Sequence, residues 1–236
     1  LIKKLSPTII KSKIIDSYNN SKLIGLYDFN DKKLLPKEEF SLYSKINKKI
    51  KRYDIVIVSD YGHGFISDKT AKLIVKKSKF VAVNTQLNSS NLGFHVISKY
   101  IGANFITINE TEMRHELRNK SDDRVSLIKA LSKKLRSNYT NVTSGEMGSI
   151  IYNSSSNEIM SCPAFADKVR DKVGTGDSML AILAVSLYKK IDVKNYYYKN
   201  CSEEKIYDSY SSICLNSKSI SENIIMLPVH EKITKD

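Results

Sequence analysis

From about residue 54 the chain alternates short, uninterrupted apolar runs with longer amphipathic stretches, and few architectures accept that alternation. A run such as Ile55-Val56-Ile57-Val58 has no polar position to offer to solvent, so it suits a strand covered on both faces, as in a parallel sheet. Asp68 to Lys77 predicts a helix, capped by Ser67 or Asp68 and closed by Lys76 and Lys77, where the helix dipole favours cations. Phe80 to Val83 predicts the next strand. A helix over Asn91 to Lys99, a strand over Phe105 to Ile108, a helix beginning near Glu110 and another over Arg124 to Leu135 continue the pattern. Asn141 to Thr143 predicts a short strand, and Ser149 to Tyr152 with Ile159 to Cys162 an antiparallel pair joined by the polar turn Asn153 to Asn157. Helices near Gly176 to Tyr188 and Glu203 to Asn216 end it. The expectation is an α/β fold with a doubly wound, mainly parallel sheet and flanking helices.

The first fifty residues lack this rhythm. Ile9-Ile10, Ile14-Ile15 and Leu23 to Tyr27 are short β-like segments broken by Asn19-Asn20 and Asn30-Asp31. They predict a small β lid segment over residues 1–50, ahead of a core over residues 51–236. The 38 Lys and Arg against 25 Asp and Glu leave a net charge of +13, which favours loose association with phosphate backbones. The lysines are spread along solvated helix faces, however, and Lys, Ile, Asn and Tyr are abundant together, as AT-rich codon usage produces. No specific nucleic-acid partner is therefore expected. The longest apolar run, Met179 to Tyr188, is half the ~20 residues a membrane helix needs, and Leu1-Ile2-Lys3-Lys4 has no apolar targeting core. The expectation is a cytoplasmic protein with no membrane partner. Cys162, Cys201 and Cys214 form no Cys-x-x-Cys and read as reduced thiols, and the four histidines have no metal-ligand spacing. Because the sequence opens with Leu1 and not Met, a missing upstream part is expected.

Six of the nine glycines fall in three pairs: Gly62 with Gly64, Gly145 with Gly148, and Gly174 with Gly176. Each pair follows a predicted strand, where a doubly wound sheet binds its ligands. In Asp171-Lys172-Val173-Gly174-Thr175-Gly176-Asp177-Ser178 the small residues let the N–H groups of Gly174, Thr175 and Gly176 point into one spot at the start of an apolar helix. That is an anion site by geometry and dipole, able to hold a developing phosphoryl charge. Asp177 is either a helix cap or, beside a phosphoryl group, the acceptor of a proton from an attacking hydroxyl. Asn109 and Glu112 stand three apart at a strand-to-helix turn. They offer one neutral and one anionic oxygen, a set that suits Mg²⁺, which takes few protein ligands.

These segments arrive in the order of a known family. Asp171 to Asp177 resembles the carboxy-terminal signature of the ribokinase-like (PfkB) carbohydrate kinases. Asn109-Glu110-Thr111-Glu112 resembles their Asn-x-x-Glu motif, and Val142-Thr143-Ser144-Gly145-Glu146-Met147-Gly148 their nucleotide loop. The resemblance implies ATP and Mg²⁺ as cofactors, with a monovalent cation near Asp171. It implies Thr143, Ser144, Gly145, Gly148 and Asp171 on the nucleotide, Asn109 and Glu112 on the metal and phosphate, Asp177 as base, and Gly174, Thr175 and Gly176 as the anion hole. Motif order lifts the functional reading of Asp177 above the capping one.

Ser59-Asp60-Tyr61-Gly62-His63-Gly64 is similar to a segment of heptose 7-phosphate kinases, as are Lys11-Ser12-Lys13 and Tyr27 to Asp31. Val83-Asn84-Thr85-Gln86 with Asn91-Leu92-Gly93-Phe94 resembles kinase domains fused to cytidylyltransferases. Asp60 either orients substrate or caps its turn. His63 either touches sugar or phosphate or is a hydrogen-bonded loop histidine. Glu146 reads as solvated; the resemblance implies that the helix from Glu203 to Asn216 flanks adenine, while its Tyr207, Tyr210 and Ile213 read better as core spacing. The family's amino-terminal glycine pair has no counterpart, because the chain holds no Gly-Gly. The expected function is ATP-dependent phosphorylation of a hydroxyl on a heptose-phosphate-like carbohydrate, in nucleotide-sugar or surface-glycan biosynthesis. The expected partners are a sugar or sugar-phosphate substrate, a fused or associated nucleotidyltransferase domain and a second copy in a homodimer. The alternatives are a catalytically silent nucleotide-binding module and a vitamin kinase of the pyridoxal type, which shares Gly-Thr-Gly-Asp.

Overall fold

A computed structural model of the chain describes residues 6, 9–18, 22–28, 30, 32–87, 97–164 and 174–190. Its main sheet has the strand order β3(Ile55–Asp60), β4(Phe80–Thr85), β5(Phe105–Asn109), β6(Tyr139–Thr143), β7(Ser149–Asn153) and β8(Glu158–Cys162). The first four strands run parallel and the last two antiparallel. The sheet is thus the expected mainly parallel one, with β6, β7 and β8 forming the expected antiparallel edge. A separate antiparallel hairpin, β1(Ile10–Ile15) with β2(Lys22–Asp28), stands where the lid segment was expected.

Alternation along the strands divides two cores. Val81, Val83, Ile106, Ile108 and Val142 face one side, where they meet Ala71 and Ile74 of α2(Asp68–Lys77), Met113 of α3(Glu110–Leu117) and Leu127, Ile128 and Leu131 of α4(Arg124–Leu135). Phe80, Ala82 and Phe105 face the other side, where Leu180 and Ala184 of α5(Thr175–Lys189) cover them. Helices on both faces explain why β4 is buried along its whole length and carries an unbroken apolar run before its polar end.

The helix limits follow from their caps. Ser67 accepts from the Thr70 N–H at 3.2 Å to start α2, and Asp123 accepts from the Val125 and Ser126 N–H groups to start α4. Two findings depart from the sequence pattern. A 14-residue helix, α1(Pro36–Lys49), fills the end of the segment read as lid, with Pro36 in its first turn and Glu38 accepting from the Leu35 N–H at 2.9 Å. It packs on α2, where Ser67 Oγ donates to Glu39 at 2.5 Å and Lys77 donates to Asn47 at 2.6 Å. The predicted helix over Asn91 to Lys99 lies partly outside the described residues, and its described end is a 3₁₀ turn, Ile97–Tyr100. With three residues per turn, Ile97 and Tyr100 stack on one side, and both are buried. The predicted helix over Glu203 to Asn216, with Cys201 and Cys214, lies outside the described residues. Among the described residues no helix is long and apolar enough to cross a membrane.

Candidate active site

The four parallel strands end on one edge of the sheet, and most of the sequence-derived candidates that are described collect there. On the α5 side the strands align in rows. The row Ile57, Ala82, Phe105, Tyr139 is mostly apolar, and the next row toward the strand ends is Ser59, Asn84, Thr107, Asn141. The change from apolar to polar falls at the level of the first turn of α5. Asn84 Nδ2 donates to the Thr107 carbonyl and Asn141 Nδ2 to Thr107 Oγ1, each at 3.0 Å.

Asp177 enters this edge from α5. Gly174 is the N-cap residue at φ +81°, a left-handed conformation that glycine adopts without cost. The helical ladder begins with the Ser178 N–H donating to the Gly174 carbonyl at 3.0 Å, so the first-turn N–H groups of Gly176 and Asp177 lie outside it. The helix therefore presents the expected positive end, with Thr175 and Gly176 in its first turn. The Asp177 side chain does not cap the helix. Its Oδ1 accepts from Ser59 Oγ at 2.9 Å and its Oδ2 from the Tyr61 hydroxyl at 2.7 Å. Burial, then the bond to Asp177, raises the Tyr61 phenol above its ordinary range. Asp171 lies outside the described residues.

Asp60, between those two donors, faces the opposite side of β3 and is 5% exposed. It accepts from the Gly62 N–H at 3.0 Å and the Tyr100 hydroxyl at 2.7 Å, and it pairs with Lys99 at 2.8 Å. Of its two readings, the structure supports the turn-holding one and extends it to a buried ion pair. His63 is half-buried in the loop that follows.

Asn109 and Glu112 form a reciprocal capping pair at the start of α3. Asn109 Oδ1 accepts from the Glu112 N–H at 2.8 Å, and Glu112 Oε2 accepts from the Asn109 N–H at 3.1 Å. Glu112 Oε1 accepts from the Leu87 N–H at 3.0 Å, which links the ends of β4 and β5. Burial pushes the Glu112 carboxyl up, although the hydrogen bonds it accepts from the Leu87 and Asn109 N–H groups oppose it. Each of these oxygens has thus committed one lone pair to the backbone. What remains suits contact with Mg²⁺ through ordered water more than a bare protein cage, in keeping with the ion's habit of retaining waters. Among the described residues no group of three His, Cys, Asp or Glu side chains gathers as a metal site.

The loop after β6 joins the same edge, since Thr143 pairs in register with Asn109. Ser144 Oγ donates to Glu110 Oε2 at 2.7 Å, and Glu110 Oε1 takes Arg114 at 2.8 Å. Gly145 at φ +59° has open space where a Cβ would stand. Gly148 at φ +76° does not, because a Cβ there would meet the Cys162 carbonyl oxygen at 2.0 Å. Close approach of the loop to β8 therefore requires a glycine at this position. Glu146 is exposed, as expected.

Sequence reasoning missed three participants: Ser59 and Tyr61 as partners of Asp177, and Asn84. Asn84 is 5% exposed, and its Oδ1 has no hydrogen-bond partner among the described residues. A signal existed for Ser59, since a polar residue directly after the apolar run Ile55 to Val58 breaks its pattern.

Known proteins match most of this chain. Residues 13–197 match the pfkB family of carbohydrate kinases. The bifunctional protein HldE of Campylobacter jejuni strain RM1221 is 29% identical over 193 residues, covering 82% of this chain and 40% of that protein. HldE of Wolinella succinogenes is 28% identical over 187 residues, covering 79% of this chain and 38% of that protein. The chain thus spans about two fifths of the length of the curated relatives it matches. Among solved structures, ribokinase from Giardia lamblia superposes with a TM-score of 0.58 at 17% identity, covering 78% of this chain and 57% of that one. Phosphofructokinase-2 from Escherichia coli in complex with potassium gives 0.55 at 12% identity, covering 73% and 56%. These two likenesses establish the fold.

Proposed function

This chain belongs to the pfkB family of carbohydrate kinases, and from that premise we propose that it serves ATP-dependent transfer of a phosphoryl group to a hydroxyl of a sugar phosphate of the heptose type. The observation that carries the reading is the Asp177 carboxylate, set at the positive end of α5 and held by hydroxyls 116 and 118 residues away. The relatives named HldE support the choice of sugar, as do Ser59 to Gly64 at the end of β3.

Asp177 would take the proton of the acceptor hydroxyl as that oxygen bonds to the γ-phosphorus and the bond to the β-phosphate oxygen breaks, releasing ADP. The first turn of α5, from Gly174 through Gly176, would hold the charge that develops on the transferred group. Thr143, Ser144, Gly145 and Gly148 line the loop proposed to border ATP, with Asp171 and a monovalent cation assigned by resemblance. Asn109 and Glu112 hold the turn where a hydrated Mg²⁺ would sit, and the ion would supply charge neutralisation to the phosphates. We place the chain in the cytoplasm, acting with a nucleotidyltransferase domain, and extend its partners to a second copy.

Asp177→Asn tests the assignment. It is expected to leave calorimetric binding of Mg·ATP nearly intact and to abolish ADP formation with heptose 7-phosphate as acceptor. Equal loss of binding and transfer would sink the role of base.

A further inference from the structure

We propose that Tyr61 and Ser59 are the positioning residues of Asp177, fixing the direction in which its carboxylate meets the acceptor hydroxyl. This rests on the reading of Asp177 as base. A carboxylate in the first turn of a helix has two free side-chain torsions and a ready alternative, which is to turn back and cap its own N–H groups. Asp177 does neither. Each of its oxygens receives one hydroxyl from the end of β3, Ser59 at 2.9 Å and Tyr61 at 2.7 Å. A carboxylate has about four acceptor positions, so two hydroxyls aim it and leave lone pairs for a substrate proton.

The donors are themselves held. Ser59 and Tyr61 are two residues apart and face α5, while Asp60 between them faces the other core. There Asp60 is fixed by the Gly62 N–H, the Tyr100 hydroxyl and Lys99, and Lys99 also donates to the Ile66 carbonyl at 3.0 Å. The strand end is thus pinned on its buried side and presents two hydroxyls on its active side. Tyr61 stays a donor, since burial and then Asp177 keep its phenol protonated above the ordinary range. A base held by an orienting group is the arrangement that transfer chemistry needs, because misplacement of about 1 Å costs on the order of 100-fold in rate.

Tyr61→Phe and Ser59→Ala are therefore expected to lower kcat by about 10- to 100-fold. KM for ATP and for heptose 7-phosphate should stay within about 3-fold, with the thermal midpoint little changed. Ser59→Thr, which keeps the hydroxyl, should recover most of the loss. A readout without substrate accompanies these: alkaline absorbance titration of the protein against Tyr61→Phe isolates the Tyr61 phenol, and Asp177→Asn should move its midpoint down. Unchanged kcat in both single variants, or a loss confined to KM, overturns the positioning role while leaving Asp177 as base. An unmoved Tyr61 titration in Asp177→Asn overturns it too. Retained transfer in Asp177→Asn, or none by the unaltered protein, overturns the function reading and the role that depends on it.

Discussion

Ser144 donates its hydroxyl to Glu110 at 2.7 Å, and this bond ties the loop after β6 to the first residue of α3. Burial alone would raise the Glu110 carboxyl, but the bonds from Ser144 and Arg114, with the charges of Arg114 and Arg124, outweigh it and hold the group below its ordinary value. A depressed carboxyl stabilises the fold above its unfolded value near 4.5 and loses that contribution as pH falls through the lower folded value. Glu110→Gln should flatten the fall of the thermal midpoint below about pH 4.5. It should also weaken ATP binding more than it weakens binding of the sugar acceptor. An unchanged acid limb would show that the network holds no charge.

Glu112 has the opposite sign. Its carboxyl is pushed up by burial, so its contribution to stability is complete below the ordinary value of 4.5 and is lost as pH rises through the raised folded value. Glu112→Gln nevertheless should destabilise, because both carboxylate oxygens accept backbone N–H groups and the amide NH₂ would face one of them. The cost of the unsatisfied donor is about 1–3 kcal/mol, read from urea unfolding at neutral pH. A neutral or stabilising result would mean that the turn from β5 to α3 relaxes freely.

Gly145 and Gly148 separate under the same substitution. Both have positive φ, but a Cβ at Gly145 meets nothing within 4 Å, while one at Gly148 would stand 2.0 Å from the Cys162 carbonyl oxygen and 2.8 Å from Pro163. Gly145→Ala should cost about 1 kcal/mol for the left-handed backbone. Gly148→Ala should cost more than about 3 kcal/mol or prevent folding, because backbone and not a flexible side chain must move. Equal midpoints for the two variants would contradict the close approach of the loop to β8.

How much of this fold and site is legible in the sequence depends on whether the deciding interaction is local. The limits of α2 and α4 are legible because Ser67 and Asp123 cap within three residues and Arg136 ends α4 in a left-handed conformation. The helix α1 escapes the pattern although Pro36, Glu38 and Lys49 mark its ends. Leu35 is not a capping residue type, and Phe40, which the apolar pattern would place inside, is 71% exposed. The role of Asn109 as a cap of α3 is hidden behind its likeness to a metal ligand. The partners of Asp177, and Tyr100 and Lys99 as partners of Asp60, are not set locally, since they are brought in by sheet register and by the packing of α5 and of the 3₁₀ turn.

Asp60 is buried with Lys99 at 2.8 Å, and Lys99 is itself only 17% exposed in its side chain. Removing the cation alone strands a buried carboxylate, so Lys99→Met should destabilise by about 3–5 kcal/mol. Replacing both, in Lys99→Met with Asp60→Asn, should recover only part of that loss: the amide needs no counter-charge and its oxygen still accepts from Tyr100, but its NH₂ then faces the Gly62 N–H. The pair also sets the backbone from which Ser59 and Tyr61 reach Asp177, so the double variant should fold and still transfer phosphate slowly. Chemical denaturation and kcat measured on the unaltered protein, the two single variants and the double variant check both halves. Stability without slow transfer would mean that the β3 end keeps its course without the buried pair.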